Sequence, residues 1–291
     1  MSYGLSKDKY AFLYDPKWQL AICINGQLML TLLTEKVFEV CKIEPIIIFE
    51  NTDGAMYRIH KSDYDNLTKA CKEVEEIVNI PLETQTCEKI IIRDVNNYIN
   101  IISDNNIKFK GCFEIDRDYH KNHSKRIVPI ALANYFINNI SIEDTIYNHL
   151  NNNKYSFAEN YGIYDFCLGA KMKGQNTLVQ RYWKGHELME DPLSKMNRYY
   201  ISNIGVELIK KLPPLEKHHL TETDKYKLKF DANQLNIFDI IEDVKVDAEN
   251  RDENLEAGYK CTLFNKYKKY DYDLNYDYYI NECYSIINKL K

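Results

Sequence analysis

The spacing of apolar positions changes character over residues 46–59. Ile46-Ile47-Ile48-Phe49 runs unbroken, Glu50-Asn51-Thr52-Asp53-Gly54 interrupts it, and Ala55-Met56-Tyr57-Arg58-Ile59 resumes with apolar and polar residues in alternation. Two strand-like runs about a short polar turn predict a β-hairpin with Asp53 at its tip. Gly54 offers the positive φ that such a turn can need. A carboxylate on a tight turn between two strands has little freedom, which suits a metal ligand, although an ordinary solvated turn carries the same residues.

Around this hairpin the periodicity is mostly helical. Residues 20–41 read as an amphipathic helix with Leu20, Ile24, Leu28 and Leu32 on one stripe, and Gly26 within it marks either a close backbone approach beneath the hairpin or a tolerated glycine. Residues 2–17 read as an extended link. Ser62-Asp63-Tyr64-Asp65 has the form of a capping box and predicts a helix to residue 78 whose inner face is Leu67, Ala70, Cys71, Val74 and Ile77. Strands are expected at 89–92, 95–102 and 107–113, then short helices at 127–137 and 142–150, the second opened by Ser141 with Asp144 three residues on.

Asn151-Asn152-Asn153 is the clearest linker and is taken as a domain boundary. Beyond it, 170–174 and 177–184 are expected to form a hairpin, 198–202 a strand, 205–212 a helix or strand ended by Pro213-Pro214, and 276–290 a closing helix, with an acidic, exposed stretch at 231–256. Helices with antiparallel strands define an α+β class.

Composition narrows the function classes. The 291 residues are 45% hydrophobic and 28% charged, which is globular, and the net charge of −5 excludes a protein coated in basic surface, so any nucleic acid must meet local patches. The 8 cysteines contain no Cys-x-x-Cys pair and read as reduced, mostly buried thiols, without a zinc site. His120 and His123 have loose metal-ligand spacing but no third ligand nearby, so a solvated basic loop is the reading there. No stretch resembles a signal peptide, and no apolar run reaches the length expected of a membrane span, so a soluble, cytoplasmic protein is expected.

Tyr3-Gly4, Asn51-Thr52-Asp53-Gly54 and Asn96-Asn97-Tyr98 follow one another in an order and at separations that resemble the C-terminal half of a family B DNA polymerase, especially the divergent type of tailed phages and large DNA viruses. Asn51-Thr52-Asp53-Gly54 stands where that family has Asp-Thr-Asp-Ser in the palm. Tyr3-Gly4 matches the end of the fingers motif Lys-x-x-x-Asn-Ser-x-Tyr-Gly, and Tyr98 matches the tyrosine of the Lys-x-Tyr region that grips the primer terminus. The chain departs from the pattern at Asn51 and Gly54, and it lacks the lysine before Tyr98.

The resemblance implies a remnant of the fingers and palm junction at 1–18, a palm at 19–150 built as an antiparallel sheet with helices on one face, and a thumb of mixed strands and helices at 151–291. It implies nucleotidyl transfer to a primer 3′-hydroxyl with two Mg²⁺ ions, which prefer hard oxygen ligands. Asp53 would be the catalytic, metal-binding carboxylate, supported by Asn51, Thr52 and Gly54. The other essential carboxylate would come from an N-terminal polymerase fragment sharing the ions, and the chain alone would be inactive. Partners would be primer-template DNA and deoxynucleoside triphosphates, with no membrane, in the host-cell cytoplasm if phage-encoded. Asn96, Asn97 and Tyr98 would contact the primer. In the thumb, Lys171, Lys173, Arg181, Lys184, Arg198, Lys210 and Lys211 interleave with Tyr182, Trp183, Tyr199 and Tyr200, a pattern suited to tracking a duplex backbone, with Lys171, Lys173 and Arg198 as primer-template residues. The alternative is a non-catalytic nucleic-acid-binding relic of the same scaffold. A different metal-dependent phosphoryl-transfer enzyme lacks a second carboxylate cluster of convincing spacing.

Overall fold

A computed structural model of the chain describes residues 2–51, 54–103, 106–116, 124–151, 162–212, 252–267 and 271–290. It is α+β, and every strand pairing among these residues is antiparallel. The chain divides into two compact units between Cys112 and Phe113, the last two residues counting with the first unit. The sequence placed a boundary at the asparagine run instead. The two helices that precede that run pack on the closing helix inside the second unit, which is why the division falls earlier.

In the first unit, α1 spans Ser2–Lys7 and α2 spans Pro16–Val40. The stretch read as an extended link therefore holds a helix and a cap. Asp15 accepts the backbone N–H groups of Lys17 and Trp18 at 3.1 and 3.0 Å, and Pro16 at the first helical position has no N–H to lose.

The α2 stripe expected to face inward is the exposed one, with Leu20 60% and Leu28 61% exposed. Cys23, Gly26, Leu30, Leu33 and the fully buried Val37 form the covered side, and α2 packs on α3 (Tyr64–Val78). Residues 20–33 are apolar around most of the helix, so spacing alone does not choose the inner face. Contrary to the expectation from the sequence, α2 is by length and composition long and apolar enough to cross a membrane. Its C-terminal half is tied to a hairpin by polar contacts: the Thr34 hydroxyl bonds the Glu50 carboxylate and lies 2.7 Å from the Tyr57 hydroxyl.

That hairpin is β1 (Ile46–Asn51) and β2 (Gly54–Arg58), paired from Ile46↔Arg58 to Asn51↔Gly54 with an irregularity at Ile48. Gly54 is a ladder residue and its φ is not positive, which corrects the turn role read from the sequence. The capping box is also absent. Ser62 Oγ bonds His60 Nδ1 at 2.8 Å, while the buried Asp63 accepts the Ile43 N–H at 3.1 Å and the Asn66 amide at 3.0 Å, joining the start of α3 to the loop before β1. Ala70, Cys71 and Val74 are buried as the helical pattern requires, but Ile77, placed on the same face by the sequence, is 62% exposed in the last turn; α3 ends on Asn79 in the left-handed region, a conformation asparagine tolerates.

Strands β3 (Lys89–Asp94), β4 (Asn97–Ser103) and β5 (Asn106–Lys110) form a sheet of that order. Val95 and Asn96, expected in a strand, are the turn between β3 and β4. The register puts Ile91, Ile99, Ile101, Ile107 and Phe109 on one face and Ile90, Ile92, Tyr98, Asn100, Lys108 and Lys110 on the other. Asn100 is buried on the second face and its Oδ1 has no hydrogen-bond partner among the described residues. A buried acceptor left unpaired costs stability, so Asn100→Leu is expected to stabilise the fold by about 1 kcal/mol. A higher urea midpoint in the variant is the readout, and a lower midpoint would show that the amide is satisfied in solution.

The second unit is organised on α4 (Ile127–Asn138), α5 (Ile142–Asn148) and α7 (Tyr276–Ile287). Residues 127–134 of α4 are all buried, as a helix apolar around its whole circumference must be. Ser141 accepts the Asp144 N–H at 3.0 Å and caps α5, as its sequence predicts. Beside these lie the short α6 (Ile163–Phe166) and two sheets, ordered β12-β9-β6 and β11-β10-β7-β8. Their strands are β6 (Leu168–Lys171), β7 (Thr177–Lys184), β8 (Glu187–Pro192), β9 (Met196–Ser202), β10 (Glu207–Lys211), β11 (Asp252–Asn254) and β12 (Lys260–Leu263).

β6 and β7, expected to form a hairpin, pair with β9 and with β8 and β10 respectively. The fully buried Tyr279 of α7 ties helix to sheet: its hydroxyl donates to the Phe166 carbonyl at 2.8 Å and accepts the Ile201 N–H at 3.0 Å.

Candidate active site

The Asn51↔Gly54 pair ends the β1–β2 ladder, so the connection consists of residues 52 and 53. Thr52 and Asp53 lie outside the described residues. Asn51 is half-buried, and a Cβ added to Gly54 would meet nothing within 4 Å, so this end of the ladder is open on the glycine side.

Two residues before Asn51, the Phe49 ring stacks on Tyr98 of β4, with centroids 5.5 Å apart and planes 23° from parallel. The hairpin and the Asn96-Asn97-Tyr98 stretch, separate in sequence, are thus in ring contact within the first unit. Lys110, directly opposite Tyr98 on β5, holds its Nζ 5.5 Å from the same ring centroid.

The two asparagines before Tyr98 differ. Asn96 is exposed on the turn, its N–H donating to Asp94 Oδ1 at 3.0 Å. Asn97 uses both ends of its amide locally: Nδ2 donates to Asp94 Oδ1 at 2.7 Å and Oδ1 accepts the Cys112 N–H at 2.7 Å. The Asn97 hydrogen bond, followed by those of Arg93 and the Asn96 N–H, holds the Asp94 carboxyl below its ordinary range against the opposing effect of desolvation. Gly111 has φ +66° and its backbone lies so close to Asn96 O and the Asn97 amide that a side chain there would collide with both. Asn97 is therefore a structural clip between the β3–β4 turn and the end of β5, which competes with the phosphate contact expected of it.

Tyr3 and Gly4 lie in α1, and Gly4 is exposed with open space where a Cβ would project. The basic residues of the second unit separate into two groups. Arg181 donates to Glu190 at 2.7 Å, Lys211 lies 2.8 Å from Glu190 and 3.0 Å from Asp252, and Lys210 lies 2.7 Å from Glu253. Hydrogen bonds to Glu190 raise the Arg181 and Lys211 values, and hydrogen bonds from Lys211 lower those of Glu190 and Asp252. These cations are largely neutralised and offer little field to a phosphate backbone.

Lys171 and Arg198 share the exposed face of the β6–β9 pair, Lys173 is exposed just beyond it, and the Arg198 guanidinium lies 4.8 Å from the Tyr164 ring centroid. Tyr199 and Tyr200, read as part of the patch, are buried at 3% and 1% exposure, whereas Trp183 is 66% exposed.

Among the described residues no three His, Cys, Asp or Glu side chains stand together as a metal site. On the hairpin, Glu50 is engaged by Thr34, and Asn51 offers a neutral amide oxygen. The described donors alone do not make a Mg²⁺ site. His120 and His123 lie outside the described residues.

Sequence reasoning missed Phe49 and Lys110. Phe49 stood in an apolar run that fits any buried strand, and Lys110 acquires its place only through the β4–β5 register. Comparison with protein-family models, with curated proteins and with solved structures finds no match for the chain.

Proposed function

We propose that the chain is the C-terminal palm and thumb portion of a DNA-directed DNA polymerase resembling family B, bound to primer-template DNA and completed by an N-terminal polymerase fragment. The stacking of Phe49 on Tyr98 carries this reading. It joins two stretches that the resemblance had assigned, on separate residues, to the metal-binding hairpin and the primer grip.

The surface of the first unit supports the need for a second polypeptide. Trp18, Leu20, Ile24 and Leu28 of α2 and Ile46 and Ile47 of β1 are exposed, and large apolar side chains left in water mark interaction surfaces. A two-stranded hairpin is also marginal in water by itself and gains from a further strand or a covering element.

In this reading Asp53 is the metal-binding carboxylate contributed by this chain, with Asn51 as a neutral oxygen donor beside it. Mg²⁺, when bound, stabilises the attacking and leaving oxygens of an in-line displacement at phosphorus. Tyr98 packs against the primer end, and Lys171, Lys173 and Arg198 contact duplex backbone without reading sequence. The working place of such a pair is the cytoplasm, the host's if a phage encodes it.

The test is reconstitution. A polypeptide carrying the N-terminal segments of such a polymerase is mixed with the chain, labelled primer-template, deoxynucleoside triphosphates and Mg²⁺, and primer extension is followed. Extension by the pair, with DNA binding but no extension by this chain alone, is the expected result. Metal-independent DNA binding with no complementing polypeptide would replace the enzyme by the non-catalytic relic, and an absence of DNA binding would remove both.

A further inference from the structure

The Lys-x-Tyr pattern has no lysine in this chain, since Val95, Asn96 and Asn97 precede Tyr98. The sheet register supplies a cation to the same tyrosine from another strand. Lys110 stands directly opposite Tyr98 across the β4–β5 ladder, on the same face, with its Nζ 5.5 Å from the centroid of the ring that Phe49 stacks upon. Its neighbours are otherwise committed. Lys108, two residues away on that face, donates to Gln85 Oε1 at 2.9 Å, and Arg93 is paired with Asp94 at 2.9 Å. Asn97, the nearest polar candidate in β4, holds the turn together through both ends of its amide.

We propose that Lys110 is the phosphate-contacting cation of the primer grip, taking from β5 the place that the chain leaves empty before Tyr98. The proposal rests on the polymerase reading above. Physically, the Tyr98 face orients the ammonium without neutralising it, because a cation held over an aromatic ring keeps its full charge. A strand of phosphates crossing this face therefore meets Lys110 beside the ring, while Lys108, two residues along β5 on the same side, is held on Gln85.

The measurement is fluorescence anisotropy of a labelled primer-template duplex titrated with the full chain over a range of NaCl concentrations. Lys110→Gln is expected to weaken binding about tenfold and to reduce the slope of log affinity against log salt by about one, as the loss of one phosphate contact requires. Lys110→Arg keeps the charge and retains the wild-type slope. Lys108→Gln, whose cation is engaged by Gln85, has the smaller effect on the slope.

Melting temperatures identify any variant that fails to fold, and Lys110→Arg then carries the comparison: an affinity and slope equal to wild type support the assignment, and a wild-type slope in a folded Lys110→Gln overturns it. Wild-type chain that binds duplex, with Lys110→Gln indistinguishable from it, leaves the polymerase reading standing and removes this assignment alone. Wild-type chain that binds no duplex removes both.

Discussion

Asp53→Ala is expected to lower primer extension by the reconstituted pair about 1,000-fold while leaving duplex affinity within about twofold. In the proposed polymerase the carboxylate would contribute charge where two metal ions must be held, and the loss of several kcal/mol of transition-state stabilisation would multiply through the rate. Asn51 and Thr52, which precede it on the hairpin, are neutral and cannot replace that charge. Binding would be spared because the proposed backbone contacts come from other places, the exposed Lys171, Lys173 and Arg198 among them. The ladder closes at Asn51↔Gly54, so the substitution falls outside the paired strands and should not move the melting temperature by more than about a degree. Normal extension by the variant pair would remove Asp53 from the chemistry. Extension restored by raising Mg²⁺ would show that the ions bind without it.

The second unit should lose stability steeply as pH rises above 9. Burial pushes the Cys167, Cys261 and Cys283 thiols up from 9.0 to about 12, and the three are 3%, 1% and 0% exposed. In the unfolded chain the same thiols release protons near pH 9. Between pH 9 and pH 12 the unfolded state binds fewer protons than the folded one, so the free energy of unfolding falls with rising pH, and the contribution is fully present only below pH 9. Each thiol accounts for about 1.4 kcal/mol at pH 10. Burial raises the Tyr199, Tyr278 and Tyr279 phenols as well, which adds to the loss above pH 10.

Urea midpoints measured under reducing conditions from pH 7.5 to pH 10.5 should decline through this window, with a shallower decline in Cys167→Ala and Cys283→Ala. A flat profile to pH 10.5 would mean that the thiols are solvated in solution.

Much of the element order was legible because single-element signals are local. The hairpin at 46–58, the helix ending at residue 78, the Ser141 cap and the closing helix all rest on contacts within a few residues of each other. What the sequence misplaced depended on partners far along the chain. The inner face of α2 is chosen by α3, and its own apolar residues surround most of the helix. β6 and β7 are adjacent in sequence yet join different sheets, because β9 and β10 compete for them.

β8 was not anticipated: Glu187, Glu190, Asp191 and Pro192 suit an edge strand, where charge and a missing N–H are tolerated, but they lack the apolar alternation that announces a strand. At the candidate site the same division holds. The hairpin could be read from two apolar runs about a polar break, whereas the engagement of Asn97 and the nearness of Lys110 to Tyr98 follow from strand register and a tight turn at Gly111.

β10 and β11 pair with Lys211 opposite Asp252, and the two side chains are joined by an ion pair of 3.0 Å. β11 therefore joins this sheet by closure across a long separation in sequence, and the ion pairs of Asp252 with Arg181 and Lys211 help to offset the entropy that such closure costs.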